Sequence, residues 1–428
     1  MTLGVNSRQL RWFILAWITL STVLNLLCRQ GLYILAPVLQ RTDQLNISEE
    51  GYSKVVSIFL VAYAIMYTVG GRFVDWIGER VGLALFVAWW SVWTMLTSLA
   101  RGALSLGAVQ FLAGLGEPGN YPAGLRAMTR WFAKTERGLP IAIFSSGSAL
   151  GSAVGVPVVT GIALTFGSKF LPNWRATFVM IGSLGLIWAA VWLWVYRTQS
   201  SRPQGDNGNA APPEAVAHEN PVPARWRDLL HDRRVVALVL ARLVSDPVWW
   251  FFVAWTPKYL NSQRGFSLKE IGLYAWIPFV AGSLGGIIGG KTSDTLIRRG
   301  MNAATARLRV LYVSAAFAPM GILISRVPSA GAAIALIGGM ALVVYSWFIN
   351  TAALIPDVLP ASVVGSVLGL MGTAGSIGGF LFTRLVGFLL THHSYTVVFL
   401  LAGSMHLLAS FILWALMKEG QSRDYSCG

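Results

Sequence analysis

Cysteine is almost missing from this chain: Cys28 and Cys427 are the only two in 428 residues. One lies inside an apolar run and the other beside the last residue. That placement excludes a disulfide framework and any site built from cysteine thiolates. Charge is also short. Asp, Glu, Lys and Arg make up 12% of the residues, about half the usual share. So few charges cannot cover a soluble surface of this size, and the same shortage excludes disorder, coiled coil and fibrous repeats. Acidic residues are the scarcer sign, 18 against 33 basic, for a formal net charge of +15. Metal-binding spacings such as H-E-x-x-H are missing, and so is a glycine-rich phosphate loop. ATP cannot drive this chain by itself.

What is present is apolar. Hydrophobic residues reach 55%, with 18 Trp and 45 Gly, and the mean hydropathy is +0.59. The basic excess does not form a patch for nucleic acid, because the Lys and Arg residues sit between apolar runs. A helix needs about 20 apolar residues to cross a bilayer. The runs predict twelve such spans, at 12–36, 53–74, 82–100, 104–126, 138–165, 175–196, 234–259, 269–290, 308–327, 331–354, 362–390 and 395–417. The first is too long for a signal peptide and lacks a small-residue cleavage site.

One polar segment rich in Pro, Asn and Ala, 197–233, separates two halves of six spans, 1–196 and 234–428. The expected fold is an all-α polytopic membrane protein, twelve transmembrane helices in two six-helix pseudo-symmetric halves. Most Lys and Arg fall on the side of the N-terminus, so both termini and the linker are expected in the cytoplasm.

An internal repeat supports two halves. Gly71-Arg-Phe-Val-Asp75 runs on to Arg80 after the second span, and Gly290-Lys-Thr-Ser-Asp294 runs on to Arg298 after the eighth. The Gly would let helices approach closely, and the Asp would accept bonds from a helix N-terminus or a basic loop residue. Together these residues would form a cytoplasmic gate that breaks as the halves rock. An ordinary charged turn explains either copy alone, but not two at matched places.

Charges inside a bilayer are costly and mark function. Five stand out: Arg29, Glu117, Arg242, Asp246 and Arg384. Arg29 has no acid in its own helix, and an unpaired guanidinium facing a cavity suits a carboxylate or phosphate. Glu117 lies mid-span between Gly116 and Pro118, with Asn120 and Tyr121 on its face. A carboxyl there can take a proton from one side and release it to the other. Arg242 and Asp246 stand one turn apart and form a structural ion pair. Arg384 snorkels toward the interface. Tyr63 and Tyr67 share one face of span two, while Trp249, Trp250 and Trp255 crowd span seven. Aromatic rings can stack on sugar faces, but most in such a protein are packing or interfacial belt. The series Gly147, Gly151, Gly155 reads as a helix-packing stripe. Candidate substrate contacts are thus Arg29, Tyr63, Tyr67, Gln110, Asn120 and Trp249, with Glu117 as the proton-coupling group.

The whole chain resembles the major facilitator superfamily through its paired Gly-x-x-x-Asp segments. Within it, Phe252-Val-Ala-Trp255-Thr-Pro257-Lys-Tyr259-Leu260 and Gly116-Glu117 with Pro122-Ala-Gly-Leu-Arg126 are similar to the anion:cation symporter branch. Arg242-Leu-Val-Ser-Asp246-Pro-Val-Trp249 looks like bacterial hexuronate transporters. The resemblance implies proton-coupled import of a hexuronate or related sugar acid across the bacterial inner membrane. It also implies that Arg29 contacts the carboxylate, Glu117 couples protons and Tyr63 lines the pocket. Cys28 stands where many branch members have Asp, Gln110 where many have Arg, and Leu368 where a polar Asn is expected.

The expected partners are a small organic anion, protons and the lipid bilayer, with no nucleic acid, no metal, no cofactor beyond a proton gradient, and a functional monomer. The competing reading is an organophosphate or organic-anion antiporter, or a pH-independent carrier, motivated by one Arg in the first helix of each half. A transporter-like receptor lacks any signalling domain. An enzyme lacks a nucleophile–base or metal constellation.

Overall fold

The computed structural model describes residues 7–132, 138–166, 173–197 and 226–417. Most of the expected linker, 197–233, and Cys427 lie outside the described residues. Among those described, every regular element is helical. The fourteen α-helices are α1 (Ser7–Leu39), α2 (Glu49–Leu96), α3 (Ala103–Gly116), α4 (Asn120–Trp131), α5 (Gly138–Thr165), α6 (Asn173–Arg197), α7 (Trp226–His231), α8 (Arg233–Arg264), α9 (Leu268–Tyr274), α10 (Ile277–Arg298), α11 (Ala303–Phe317), α12 (Ala330–Val358), α13 (Ala361–His392) and α14 (Tyr395–Met417).

Eleven stretches among the described residues are long and apolar enough to cross a membrane. The run expected as a single fourth span, 104–126, is instead two short helices, α3 and α4, joined by a 3₁₀ turn at Glu117–Gly119. Pro118 causes the break, because it has no N–H for the α-helical ladder. A second departure lies in α2, which contains two crossings, Glu49–Gly70 and Trp76–Leu99. The repeat segment expected as a loop between them continues as helix and is interrupted at Gly78, with φ 77 and ψ 164. That left-handed backbone costs an L-residue about 1–2 kcal/mol and suits Gly.

Helix starts follow local chemistry. Ser48 accepts from the Gly51 N–H to cap α2, and Asp232 accepts from the Arg234 N–H to cap α8. Ser267 and Glu270 form a reciprocal capping box on α9. Large apolar side chains such as Leu104, Ile187, Trp194 and Phe411 point outward and stay exposed. In water such a surface would be unstable, whereas in a bilayer lipid covers it.

Successive crossings alternate in direction. The end of the bundle where α1 begins is the N face, and the end where α1 finishes and α2 starts is the far face. Two halves meet along α2 against α13, α1 against α8, and α5 against α9 and α10. Toward the far face this seam is tied by polar bonds. The Tyr52 hydroxyl donates to the Ala254 carbonyl at 2.8 Å, Lys258 pairs with Glu49, and Arg384 donates to Ser53 at 3.4 Å. On the N-face side of this seam Tyr67 and Phe348 remain 42% and 41% exposed.

Along that seam α13 presents bare backbone. A side chain at Gly372 would crowd Tyr67, one at Gly375 would run into Asp246, and one at Gly379 would strike Trp250 and Leu60. Small residues here let helices approach to backbone distance.

Candidate functional site

The centre of the molecule is an ion pair between helices. α1 carries Arg29, and the turn between α3 and α4 carries Glu117. Arg29 Nε donates to Glu117 Oε2 at 2.7 Å, and Nη2 lies 2.5 Å from the same oxygen. The guanidinium also donates to the Tyr63 hydroxyl at 3.1 Å. Its plane sits among rings, 4.9 Å from the centroid of Tyr63, 5.5 Å from Trp250 and 5.6 Å from Phe59. The expectation of an unpaired Arg29 is therefore corrected: its partner comes from another helix. Both side chains are nearly buried, at 10% and 4% exposure. Removing one member of such a pair strands the other and costs about 3–5 kcal/mol. A ligand carboxylate can, however, take the place of Glu117 on the same donors, since both offer the same two oxygens.

A second pair lies in the other half. Arg242 Nη2 lies 2.8 Å from Asp246 Oδ2, one turn along α8. The Arg242 guanidinium stacks over Phe348 at 4.1 Å. Tyr67 packs edge-on against Tyr63 at 5.1 Å and against α13 at Gly372, one turn from the Gly375 that abuts Asp246. These groups thus lie where the two halves meet, with Arg29 of one half over the Trp250 ring of the other.

The other candidates are distributed differently. Asn120 shares the face of Glu117 toward α1, but its amide is engaged there: Oδ1 accepts from Ser21 at 2.8 Å and Nδ2 donates to Thr22 at 2.9 Å. It ties α4 to α1. Gln110 lies two turns from Glu117, about 10 Å along the helix. It donates to Thr97 at 3.4 Å, so the structure does not bring it to the ion pair. Trp249 packs edge-on against Tyr345 at 4.7 Å and Phe279 at 5.8 Å. It borders a small void of about 10 Å³ together with Gln30.

At the N face the second repeat is described in full and the first only in part. Gly71 lies within α2, and the side chain of Asp75 lies outside the described residues. Arg80 donates to the Leu193 carbonyl at 3.2 Å. Among the described residues, Glu79 is held by Arg130 at 2.5 Å, Arg126 at 3.5 Å and the Tyr196 hydroxyl at 2.8 Å. In the second repeat Asp294 accepts from a basic residue, as expected: Arg307 lies at 2.9 Å, and it also lies 3.5 Å from Asp357. Gly290 has ordinary room beside Ile349; the close approach is at Gly289, which lies against Ser346 and Asn350.

Several residues escaped the sequence reading. Phe59 and Tyr345 carried no signal beyond being aromatic. Trp250 was visible as one of three Trp in span seven. Lys258, buried at the far face, sits at the end of that span inside the Trp255-Thr-Pro257-Lys-Tyr259 motif, and the motif was the available sign. Arg384, expected to snorkel alone, bonds Ser53 and stands 3.9 Å from Glu50. Among the described residues, no three His, Cys, Asp or Glu side chains converge.

The family profile described as Major Facilitator Superfamily matches residues 18–383. The chain is 29% identical over 423 residues to a hexuronate transporter of Escherichia coli (strain K12), covering 96% of this chain and 95% of that one. It is 31% identical over 289 residues to a galacturonate transporter of Dickeya chrysanthemi, covering 66% and 81%. Among solved structures, a bacterial homolog of the human lysosomal transporter Spinster, inward-facing and unoccupied, superposes with a TM-score of 0.74 at 17% identity, over 97% of this chain and 99% of that one. At that identity the likeness concerns the fold.

Proposed function

The chain belongs to the major facilitator superfamily, and we propose that it is a proton-coupled importer of a sugar acid, a hexuronate first, working by alternating access. As a member of that superfamily it is a membrane transporter and not an enzyme. The observation that carries the finer reading is the Arg29–Glu117 pair with Tyr63 on the same guanidinium. Two relatives whose names specify hexuronate and galacturonate support the substrate class.

The chemistry follows from competition for one guanidinium. With Glu117 ionised, Arg29 is occupied. A proton on Glu117 removes its charge and frees the Arg29 fork for the substrate carboxylate. Tyr63 and the neighbouring rings then offer a hydroxyl and flat faces to the sugar. One proton and one monoanion travel together, so the loaded carrier gains no net charge and the membrane potential contributes little. Release of both toward the opposite side restores the ion pair.

Orientation rests on the basic residues. Arg126, Arg130, Arg298, Arg299, Arg307 and Arg309 gather at the N face, which supports a cytoplasmic N face by the positive-inside rule. Both termini are then cytoplasmic, the membrane is the bacterial inner membrane, and the shape described above is inward-facing. The two halves, 1–196 and 234–428, rock about this central site, and a single chain carries the whole path.

The test is uptake of labelled galacturonate into proteoliposomes with an inward proton gradient, with the gradient collapsed, and with Glu117→Gln. Accumulation that needs the gradient is expected in the parent. In Glu117→Gln it is lost while counterflow persists, because the neutral amide mimics the protonated acid. Uptake indifferent to pH in the parent would keep the substrate class and overturn the coupling. Failure to carry any sugar acid would overturn the substrate class.

A further inference from the structure

Gln30 follows Arg29 on α1 and is buried more deeply, at 1% exposure. Its stem packs against the bare backbone of α5 at Gly155. Yet neither atom of its side-chain amide, Oε1 or Nε2, has a hydrogen-bond partner. A buried polar group left unmet is costly, and such groups are normally paired with protein or with ordered water. The amide therefore calls for a partner that the neighbouring side chains do not supply.

Gln30 borders the void of about 10 Å³ at the seam between the halves. That is about the space one water needs, and too little for a larger ligand. Gln30 comes from the first half, whereas Val253, Thr256 and Pro257 enter the wall from α8 of the second. Thr256 brings a hydroxyl. Pro257 has no N–H, so the Val253 carbonyl, four residues before it, loses its α-helical donor. With Gln30 these make three polar groups at one void, and a buried water takes two to four partners. No ionic side chain borders the void, so its lining suits a neutral molecule. Water serves an amide whichever end faces it, because it donates and accepts alike.

We infer that this void is the site of one structural water, held by Gln30 of one half and by Thr256 and Val253 of the other, and that closure of the far face traps it there. The site lies beside the far-face ties. Ala254, which accepts from Tyr52, and Lys258, which pairs with Glu49, belong to the same turns of α8 as Val253 and Thr256. When those ties part, Gln30 and Thr256 meet bulk solvent. When they form again, the amide keeps one water in place of many. Nothing in this inference depends on which substrate is carried.

The test is X-ray radiolytic footprinting of the whole chain in lipid nanodiscs. Brief irradiation turns water into hydroxyl radicals, and mass spectrometry locates the side chains they oxidise. Phe252 and Phe279 stand in the wall of the void and are both buried from bulk water. Phe399, buried among the rings of Phe251 and Tyr259, is the blank. Trp255, buried edge-on against Tyr52 across the seam, reports any labelling that comes from opening of the far face. In the parent, Phe252 and Phe279 are expected to be oxidised well above Phe399 and Trp255. In Gln30→Met, which keeps the length of the side chain and removes the amide, that excess is lost. Thr256→Val, which keeps the shape and removes the hydroxyl, lowers it as well. A parent in which Phe252 and Phe279 are as silent as Phe399 overturns the inference, and so does an excess that survives both variants. Oxidation of Phe252 that rises and falls with that of Trp255 comes from bulk water through an open seam and overturns it too.

Discussion

At the far face, Lys258 and Glu49 are unequal partners, and that inequality predicts an order among three variants. Lys258 is 4% exposed at its side chain, whereas Glu49 is 34% exposed. The ammonium also stands 5.0 Å from the Trp255 ring and 5.4 Å from that of Tyr52. Glu49→Gln leaves a buried ammonium without its counter-charge, a loss of about 3–5 kcal/mol to the closed far face. Lys258→Met leaves Glu49 where water reaches it, and removes contacts worth about 1 kcal/mol with the rings. The double variant has no stranded charge and loses only the same ring contacts, so it falls to about the level of Lys258→Met. Since about 1.4 kcal/mol is tenfold in an equilibrium, Glu49→Gln should populate the far-open state more by about two to three and a half orders of magnitude, and Lys258→Met about fivefold.

Ser57, buried and bonded only within α2 to the Lys54 carbonyl at 3.0 Å, is a reporter when changed to cysteine. A membrane-impermeant maleimide reaches it from the far side when the seam opens, with the parent chain as blank for the native cysteines. The expected labelling order is Glu49→Gln well above Lys258→Met, which is at or slightly above the double variant. Equal labelling in Glu49→Gln and the unmodified pair, or a stronger effect from Lys258→Met, would refute the assignment of this pair as a latch.

Three further expectations follow from the same structure. Arg29→Lys keeps the charge but loses the fork that spans Glu117 and Tyr63, so the KM for galacturonate in counterflow should rise tenfold or more. Asn120→Ala breaks two buried bonds between α1 and α4 at about 1–3 kcal/mol; thermal denaturation in detergent should shift downward while the galacturonate KM stays within twofold, and a large KM change would return Asn120 to the substrate site. Gly78→Ala must adopt a left-handed backbone at about 1–2 kcal/mol, so its denaturation midpoint should also fall, whereas Gly161→Ala, which meets nothing within 4 Å, should leave it unchanged.

Much of the fold was legible because the bilayer imposes a simple demand, apolar runs of fixed length. Where the demand met local chemistry, the detail was less legible. Pro118 announces a disturbance in the fourth span, yet whether it kinks one helix or divides it into α3 and α4 depends on what packs around the turn. Arg29 and Glu117 were each visible as charges in the membrane. Their pairing, across 88 positions, was not, because it depends on the rotation of two helices about their own axes. Asn120 was placed on the correct face, but sequence does not say that Ser21 and Thr22 wait opposite. Gly289 sits one residue before Gly290, and a step of one residue turns a side chain by about 100° on a helix. Lys258 lies at the end of span seven and carried no sign of burial of its own. Only the closure of the other half over it makes it a buried cation.

The bare strip on α13 has a mechanical consequence. Helices whose side chains interdigitate must climb over one another to change register. At Gly372 and Gly379 there is no ridge to climb: Tyr67 and Leu60 of the other half ride on smooth backbone. The seam between the halves thus behaves as a bearing surface, and resistance to rocking rests on its polar ties, those of the far face and the Thr68–Thr373 hydroxyl bond at 3.1 Å. The molecule separates the part that glides from the part that locks, and each can be altered without the other.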